Sequence, residues 1–110
     1  MNYFSKRITA LAAGVALSVL AAGAALADPA VIYDLGGKFD KSFNEAAYNG
    51  AEAWKKATGG SFTDLELQND AQREQALRRF ASQGANPIVM AGFSWGTALT
   101  TVAAEFPDTH

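Results

Sequence analysis

The chain has 110 residues, with nine basic and eleven acidic side chains, a formal net charge of −2 and no cysteine. A mildly acidic chain offers no basic surface for nucleic-acid phosphates and no polybasic segment for anionic lipid, so neither is predicted as a partner. Without cysteine no disulfide can cross-link the fold, which must therefore be held together by its hydrophobic core.

The first 27 residues have the organisation of a secretory signal peptide. A basic start with Lys6 and Arg7 leads into an apolar run of small residues that ends in an A-x-A sequence at Ala27. The alternative is a membrane anchor, because the run is close to the roughly 20 residues that span a bilayer. The cleavage sequence favours a signal peptide cut after Ala27. The remaining residues 28–110 have seven basic and eleven acidic side chains, a net charge of −4.

The sequence also leads to a prediction of localisation and completeness. No cysteine follows the signal peptide, so no lipid can be attached to a mature N-terminal cysteine. We therefore predict a periplasmic product, exported by a cleaved signal peptide and free of a lipid anchor. Because the pattern stops after a helix, where a further strand is due, we predict that residues 28–110 are the incomplete N-terminal part of a larger domain.

Three short apolar segments are predicted as strands, and an amphipathic helix follows each of them. The strands are 30–34, 61–67 and 87–91, and the helices run from Ser42 to Gly59, from Asn69 or Asp70 to Gln83, and from Thr97 to Glu105. Ser42 and Glu45 have the S-x-x-E spacing of a capping box. The first helix is predicted to turn one apolar face inward. That face consists of Phe43, Ala46, Ala47, Gly50, Ala53, Trp54 and Ala57.

The alternation of strands and helices with short links predicts an α/β fold with a parallel sheet and right-handed crossovers. In such sheets, ligands bind outside the carboxyl ends of the strands, at the point where the strand order reverses. The loops that follow the first and third strands, 34–44 and 92–96, are therefore the candidate functional regions.

The first of these loops brings polar groups to a helix N-terminus, where free N–H groups and the helix dipole favour an anion or a polar ligand atom. Asp34 closes an apolar strand, where a carboxylate needs a partner, either a ligand donor or the loop itself. Phe43 either packs in the core or offers a stacking surface. Asp40, Ser42 and Asn44 also surround this helix start, and the last two are equally compatible with an ordinary first turn.

The second loop opens with Gly92 and Phe93. Glycine lets the backbone approach a ligand closely, and the alternative is an ordinary strand-to-helix turn with one aromatic side chain buried. The chain has no phosphate-binding loop and no dinucleotide fingerprint. Its single histidine, His110, is the last residue, so neither a Ser–His pair nor a zinc site is predicted. We predict a protein that is not an enzyme and uses no cofactor.

Residues 31–34 and 36–44, with the string D-K-S-F-N, closely resemble the opening of the basic membrane protein (BMP) family. These are the purine nucleoside receptor-like solute-binding proteins of ABC importers. The Gly92-Phe93 turn and the helix end at 105–108 are similar to the same family, and the resemblance covers all of 28–110.

The resemblance implies a type I periplasmic-binding fold of two α/β lobes around a nucleoside-like small molecule, here truncated before the second lobe. It implies that Asp34 binds the ligand, that Phe43 stacks on its base and that Asn44 hydrogen-bonds to it. The whole predicted ligand-binding set is Asp34, Asp40, Ser42, Phe43, Asn44, Gly92 and Phe93. The implied partners are ABC permease subunits in the inner membrane. The alternative function is a periplasmic receptor that reports ligand occupancy to a membrane signalling partner.

Overall fold

The computed structural model describes residues 27–110, and its elements alternate between strand and helix. They are β1 (Ala30–Tyr33), α1 (Phe43–Thr58), β2 (Thr63–Glu66), α2 (Arg73–Ser82), β3 (Ile88–Met90) and α3 (Gly96–Ala103), with 3₁₀ turns at Asp70–Gln72 and Phe93–Trp95. All predicted elements are present. The predicted signal peptide lies outside the described residues, apart from Ala27. None of the helices in 27–110 is long and apolar enough to cross a membrane.

The three strands form one parallel sheet with β1 at its centre, in the order β2-β1-β3. Ala30 lies opposite Thr63 of β2 on one side and opposite Ile88 of β3 on the other. All four residues of β1 are buried, which explains why this strand is a continuous apolar run instead of an alternating one. The predicted α/β class with a parallel sheet is confirmed.

The main core lies on the face of the sheet against which α2 and α3 pack. Its buried side chains are Ala30, Ile32, Leu67, Ala76, Leu77, Phe80, Ala81, Ala85, Ile88, Trp95, Ala98 and Val102. The buried apolar residues of α2 recur at helical spacing, as predicted for an amphipathic helix. The core therefore holds α2 and α3 against the sheet.

The first helix, α1, lies on the opposite face of the sheet and covers it only in part, and the predicted burial of its apolar residues is wrong for most of the helix. Asn44 is the buried residue of α1, whereas Phe43 and Trp54 are 64% and 39% exposed. The helix contacts β1 but leaves an apolar groove of about 840 Å³ that Val31 and Val89 help to line. Because this groove stays open, the apolar stripe of α1 is not enclosed.

Candidate ligand-binding site

The sheet order places the switch point between β1 and β3. From β1 the chain passes through α1 to β2 on one side, and from β2 through α2 to β3 on the other. The loops that leave β1 and β3 therefore turn in opposite directions and border a crevice at the carboxyl ends of the strands. These are the two loops predicted from sequence, 34–44 and 92–96, and Asp34 and Gly92 meet where they diverge.

Asp34 follows β1 directly, and its two carboxylate oxygens have different surroundings. Oδ1 accepts hydrogen bonds from the Leu35 backbone N–H at 2.7 Å and from Arg73 Nη2 at 2.6 Å. Oδ2 lies against Gly92, where a side-chain Cβ would collide with it. Of the two partners considered for Asp34, the structure shows the one within the chain, and the second oxygen lies beside Gly92, where the two loops meet.

Asn44 is 1% exposed and braces the loop that follows β1. Its Oδ1 accepts from the Asp34 backbone N–H at 2.8 Å, and its Nδ2 donates to the carbonyl oxygens of Asp34 and Gly37 at 2.9 and 3.1 Å. Both amide hydrogens are thus used inside the protein. Direct hydrogen bonding of Asn44 to a ligand stays a prediction, and its position in this structure is that of a support for Asp34.

Each of the two candidate loops carries an exposed aromatic ring, and the two rings are in contact. Phe43 lies outside the core, and Phe93 is 95% exposed. Their ring centroids are 6.3 Å apart with an interplanar angle of 77°, an edge-to-face arrangement. Trp95, on the same turn as Phe93, is buried and donates its Nε1–H to the Ala91 carbonyl at 2.9 Å. The turn therefore buries one aromatic side chain and presents the other.

The N-terminus of α1 is capped by Asp40, so the predicted capping box is wrong. The Ser42 side chain makes no capping hydrogen bond. Instead Asp40 Oδ1 accepts from the backbone N–H groups of Ser42 at 2.8 Å and Glu45 at 3.1 Å, and Oδ2 accepts from that of Asn44 at 3.4 Å. Desolvation raises the pKa of Asp40, but these backbone donors outweigh it and hold the pKa below its ordinary value. An acceptor two residues earlier reaches more of the free N–H groups than the serine hydroxyl does.

We expect acid to destabilise α1 through this carboxylate. Because the folded-state pKa of Asp40 is lowered, its contribution to stability is complete above the ordinary pKa near 4 and is lost as the pH falls through the folded-state value. Thermal unfolding between about pH 6 and pH 2 should therefore show an acid-dependent loss that is smaller in Asp40→Asn, whose amide oxygen caps without titrating. Glu52→Gln on the same helix is the matched control. Identical acid dependence in wild type and Asp40→Asn would contradict this assignment.

A further set of contacts ties the same loop to β2. Lys38 Nζ lies 2.7 Å from Asp64 Oδ2, and the Lys38 backbone N–H donates to Glu66 Oε1 at 2.7 Å. The Tyr33 hydroxyl donates to Asp64 Oδ2 at 3.0 Å. Burial, followed by the hydrogen bond to Asp64, raises the pKa of Tyr33 above its ordinary value. The loop that carries Asp34 is thus anchored to β2.

Arg73 is the residue of this site that the sequence analysis missed. It is the first residue of α2, it is 6% exposed, and its guanidinium contacts Asp34, Asp70 and the ring of Trp95. Desolvation lowers the pKa of Arg73, but the hydrogen bonds to Asp34 and Asp70 raise it further, and the net shift is upward. A cation at a helix N-terminus opposes the helix dipole. That mismatch is the sequence signal that could have drawn attention to Arg73.

The arrangement combines a carboxylate oxygen, which accepts hydrogen bonds, with two exposed aromatic rings, which offer stacking surfaces. Both are groups that bind a small molecule. The described part of the chain contains no group of three or more His, Cys, Asp or Glu side chains that could hold a metal ion. The two loops touch at two places, where Asp34 lies against Gly92 and where the ring of Phe43 packs on that of Phe93. Asn44 and Arg73 hydrogen-bond to Asp34, and Asp40 caps α1. Ser42 is exposed at the edge of the same loop.

The family model of PnrA-like ABC transporter substrate-binding proteins (Bmp) matches residues 25–110. The chain belongs to this family. The resemblance drawn from the D-K-S-F-N region is thereby confirmed. Because the description of the PnrA-like family names a transporter component, the sensor alternative is not favoured. The family consists of proteins that bind a substrate and work with permease partners.

Solved structures and curated relatives agree with this membership. An ABC transporter solute-binding protein from Aeropyrum pernix is 31% identical with a TM-score of 0.70, over 76% of this chain and 23% of that one. Another from Conexibacter woesei is 32% identical with a TM-score of 0.64, over 76% and 28%. An uncharacterised lipoprotein from Pyrococcus furiosus is 40% identical over 83 residues. The match covers 72% of this chain and 20% of the relative, so the chain spans about a fifth of that length.

These curated relatives correct the predicted localisation. The protein from Pyrococcus furiosus and relatives from Pyrococcus horikoshii and Pyrococcus abyssi are all named as lipoproteins. The prediction of a periplasmic product with a cleaved signal peptide and no lipid anchor is therefore wrong in the light of its relatives. The absence of cysteine from these 110 residues therefore does not establish that the protein lacks a lipid anchor.

Proposed function

We propose that this chain supplies one wall of the ligand site in the substrate-binding component of an ABC importer, and that the ligand is a purine nucleoside or a related small solute. The observation that carries the proposal is the exposed pair Phe43 and Phe93 beside the Asp34 carboxylate at the switch point of the sheet. Family membership supports the transport role, and the side chains of the crevice support the class of ligand.

The aromatic pair fits a flat heterocycle. Two rings at an angle of 77° form a corner, in which a base can stack on one ring while its edge contacts the other. Stacking of a base on an aromatic side chain contributes about 1–3 kcal/mol. Phe43 and Phe93 lie outside the core of the described residues, so core packing does not account for their position. A ligand that covers them would remove apolar surface from water.

The polar groups fit a neutral ligand with hydrogen-bond donors. Asp34 Oδ2 accepts no hydrogen bond from residues 27–110 and lies beside Gly92, and ribose hydroxyls and base N–H groups are suitable donors for it. The N-terminus of α1 would otherwise attract an anion, but the Asp40 carboxylate already occupies its N–H groups. A phosphate would therefore meet two carboxylates at this edge of the sheet. This favours a nucleoside over a nucleotide.

The proposed partners follow from the family. A loaded substrate-binding component delivers its solute to permease subunits in the inner membrane, and we assign the chain this role and no catalytic one. No nucleic acid is proposed as a partner, because the chain carries a net negative charge. The aromatic pair would serve a base in a small solute, with the remainder of the ligand enclosed by an opposing wall.

Calorimetric titration tests the proposal. The protein, purified at the length that the cell produces and dialysed free of solute, is titrated with adenosine, guanosine and inosine. Free adenine, ribose and adenosine monophosphate are the controls. We expect saturable binding of at least one nucleoside, weaker binding of the base and the sugar because each makes half of the contacts, and weaker binding of the nucleotide. Binding of an amino acid or a sugar with no response to any nucleoside would overturn the proposed ligand class.

A further inference from the structure

Asp34 and Arg73 are 39 residues apart in sequence, and the fold brings them into direct contact. Asp34 follows β1, while Arg73 begins the helix that follows β2. Because β1 and β2 are parallel neighbours, both residues lie at the same edge of the sheet. Arg73 Nη2 is 2.6 Å from Asp34 Oδ1, and the two side chains are 7% and 21% exposed. This is the most deeply buried ion pair among residues 27–110.

The surroundings of Arg73 hold its guanidinium in one orientation. Nε and Nη2 donate to Asp70 Oδ1 at 3.1 and 2.7 Å, and the guanidinium carbon lies 4.9 Å from the centre of the Trp95 ring. Arginine presents its donors as a rigid planar fork, so these contacts determine the direction of the Nη2–H that reaches Asp34. Nη1 is buried without a hydrogen-bond partner among the described residues. The guanidinium is thus largely buried and held by its neighbours.

The two oxygens of the Asp34 carboxylate consequently have different contacts. Its Oδ1 accepts from Arg73 and from the backbone N–H of Leu35. Its Oδ2 accepts no hydrogen bond from residues 27–110 and lies against Gly92. That residue has φ +107°, and a Cβ there would collide with Oδ2. The absence of a side chain at Gly92 is what leaves room for this oxygen.

We propose that Arg73 is a positioning residue for ligand recognition: it fixes Asp34 Oδ1 so that Oδ2 is presented to the ligand. This inference rests on the proposed function, because it takes the crevice as the ligand site. A carboxylate held in this way offers an acceptor in one direction and selects a ligand with a hydroxyl or N–H donor there. Arg73 thereby sets the ligand chemistry without touching the ligand.

A double-mutant cycle on the full-length protein tests the inference. The four proteins are wild type, Arg73→Lys, Asp34→Asn and the double variant, and the probe is the purine nucleoside that wild type binds. Lysine keeps the charge but lacks the planar fork. We expect Arg73→Lys to weaken binding by about tenfold or more in the presence of Asp34, since hydrogen bonds to charged groups are worth that much. In the Asp34→Asn background the same change should have no further effect.

Arg78→Lys is the matched control, because it makes the same replacement on the same helix at a more exposed arginine, which pairs with Glu74 and Glu105 and not with Asp34. We expect it to bind the nucleoside as wild type does. If Arg73→Lys weakens binding equally in the wild-type and the Asp34→Asn backgrounds, the inference is overturned, as it is by unchanged binding in folded Arg73→Lys. If wild type binds no nucleoside, it is the proposed function that fails.

The structure of the wild-type protein in complex with the nucleoside provides a second test, which does not depend on any variant. The inference requires a donor of the nucleoside within about 3.2 Å of Asp34 Oδ2, with Oδ1 still bonded to Arg73. A ligand donor on Oδ1, or an Arg73 side chain displaced from Asp34, would refute it even if the variants proved unstable.

Discussion

Replacement of Phe43 by alanine is expected to weaken binding of a purine nucleoside by roughly 5- to 150-fold, the equivalent of about 1–3 kcal/mol of base stacking. Phe43 is 64% exposed and lies outside the core, so its removal should leave the melting temperature of the free protein nearly unchanged. Phe43→Leu sharpens the test, because leucine keeps an apolar side chain but offers no ring face. We expect it to lose most of the affinity as well.

The control for this prediction is Phe39→Ala. Phe39 is 66% exposed on the same loop, but its ring packs edge-to-face on Tyr48 with centroids 5.2 Å apart, away from Phe93. Calorimetric titration and thermal melting of the three variants separate stacking from packing. Unchanged nucleoside affinity in Phe43→Leu together with a lower melting temperature would show that the ring serves the fold and would remove Phe43 from the site.

Asp34→Ala is expected to weaken ligand binding and to lower the stability of the fold, for different reasons. Binding should weaken because the acceptor at the crevice is gone. The free energy of unfolding should also fall, by about 1–3 kcal/mol, because Arg73 is left buried with one partner fewer. This range lies below the roughly 3–5 kcal/mol of fully buried pairs, since Asp34 is partly exposed.

The double variant Asp34→Ala/Arg73→Met separates the two losses. With both charges removed, the uncompensated guanidinium is gone, so stability should return toward that of wild type while binding should not. Asp70→Ala, which removes an exposed acid from the same arginine, should cost much less stability than Asp34→Ala. Denaturant unfolding and titration of the four proteins provide both measurements. Wild-type stability in Asp34→Ala would show that the pair with Arg73 contributes nothing to the fold.

The capping of α1 shows that a local sequence pattern can predict where a helix begins without predicting which side chain caps it. The S-x-x-E spacing at Ser42 and Glu45 predicts a helix start at the right place, and α1 does begin at Phe43. The residue that caps the helix is nevertheless Asp40, because the loop turns so that its carboxylate reaches three backbone N–H groups. The S-x-x-E spacing depends only on which side chains are close in sequence. Which oxygen reaches the free N–H groups depends on the path of the loop.

The apolar stripe of α1 shows a second limit of prediction from sequence. Helical periodicity correctly predicts that α1 has an apolar stripe, but it does not predict how much of that stripe is covered. In α2 the corresponding residues are buried by α3 and the sheet, whereas in α1 Phe43 and Trp54 remain exposed. The difference arises because coverage depends on a second element lying alongside the helix, and periodicity within one helix contains no information about its neighbours.

By itself the sequence determined the alternation of strands and helices, the parallel sheet and the two loops that border the crevice, because each follows from patterns within a few residues. It also placed Asp34, Phe43 and Gly92 in those loops. Only the tertiary structure decided that Arg73 holds one oxygen of Asp34 and that Gly92 makes room for the other. Residues 39 apart meet only when the order β2-β1-β3 brings the ends of neighbouring strands to one edge.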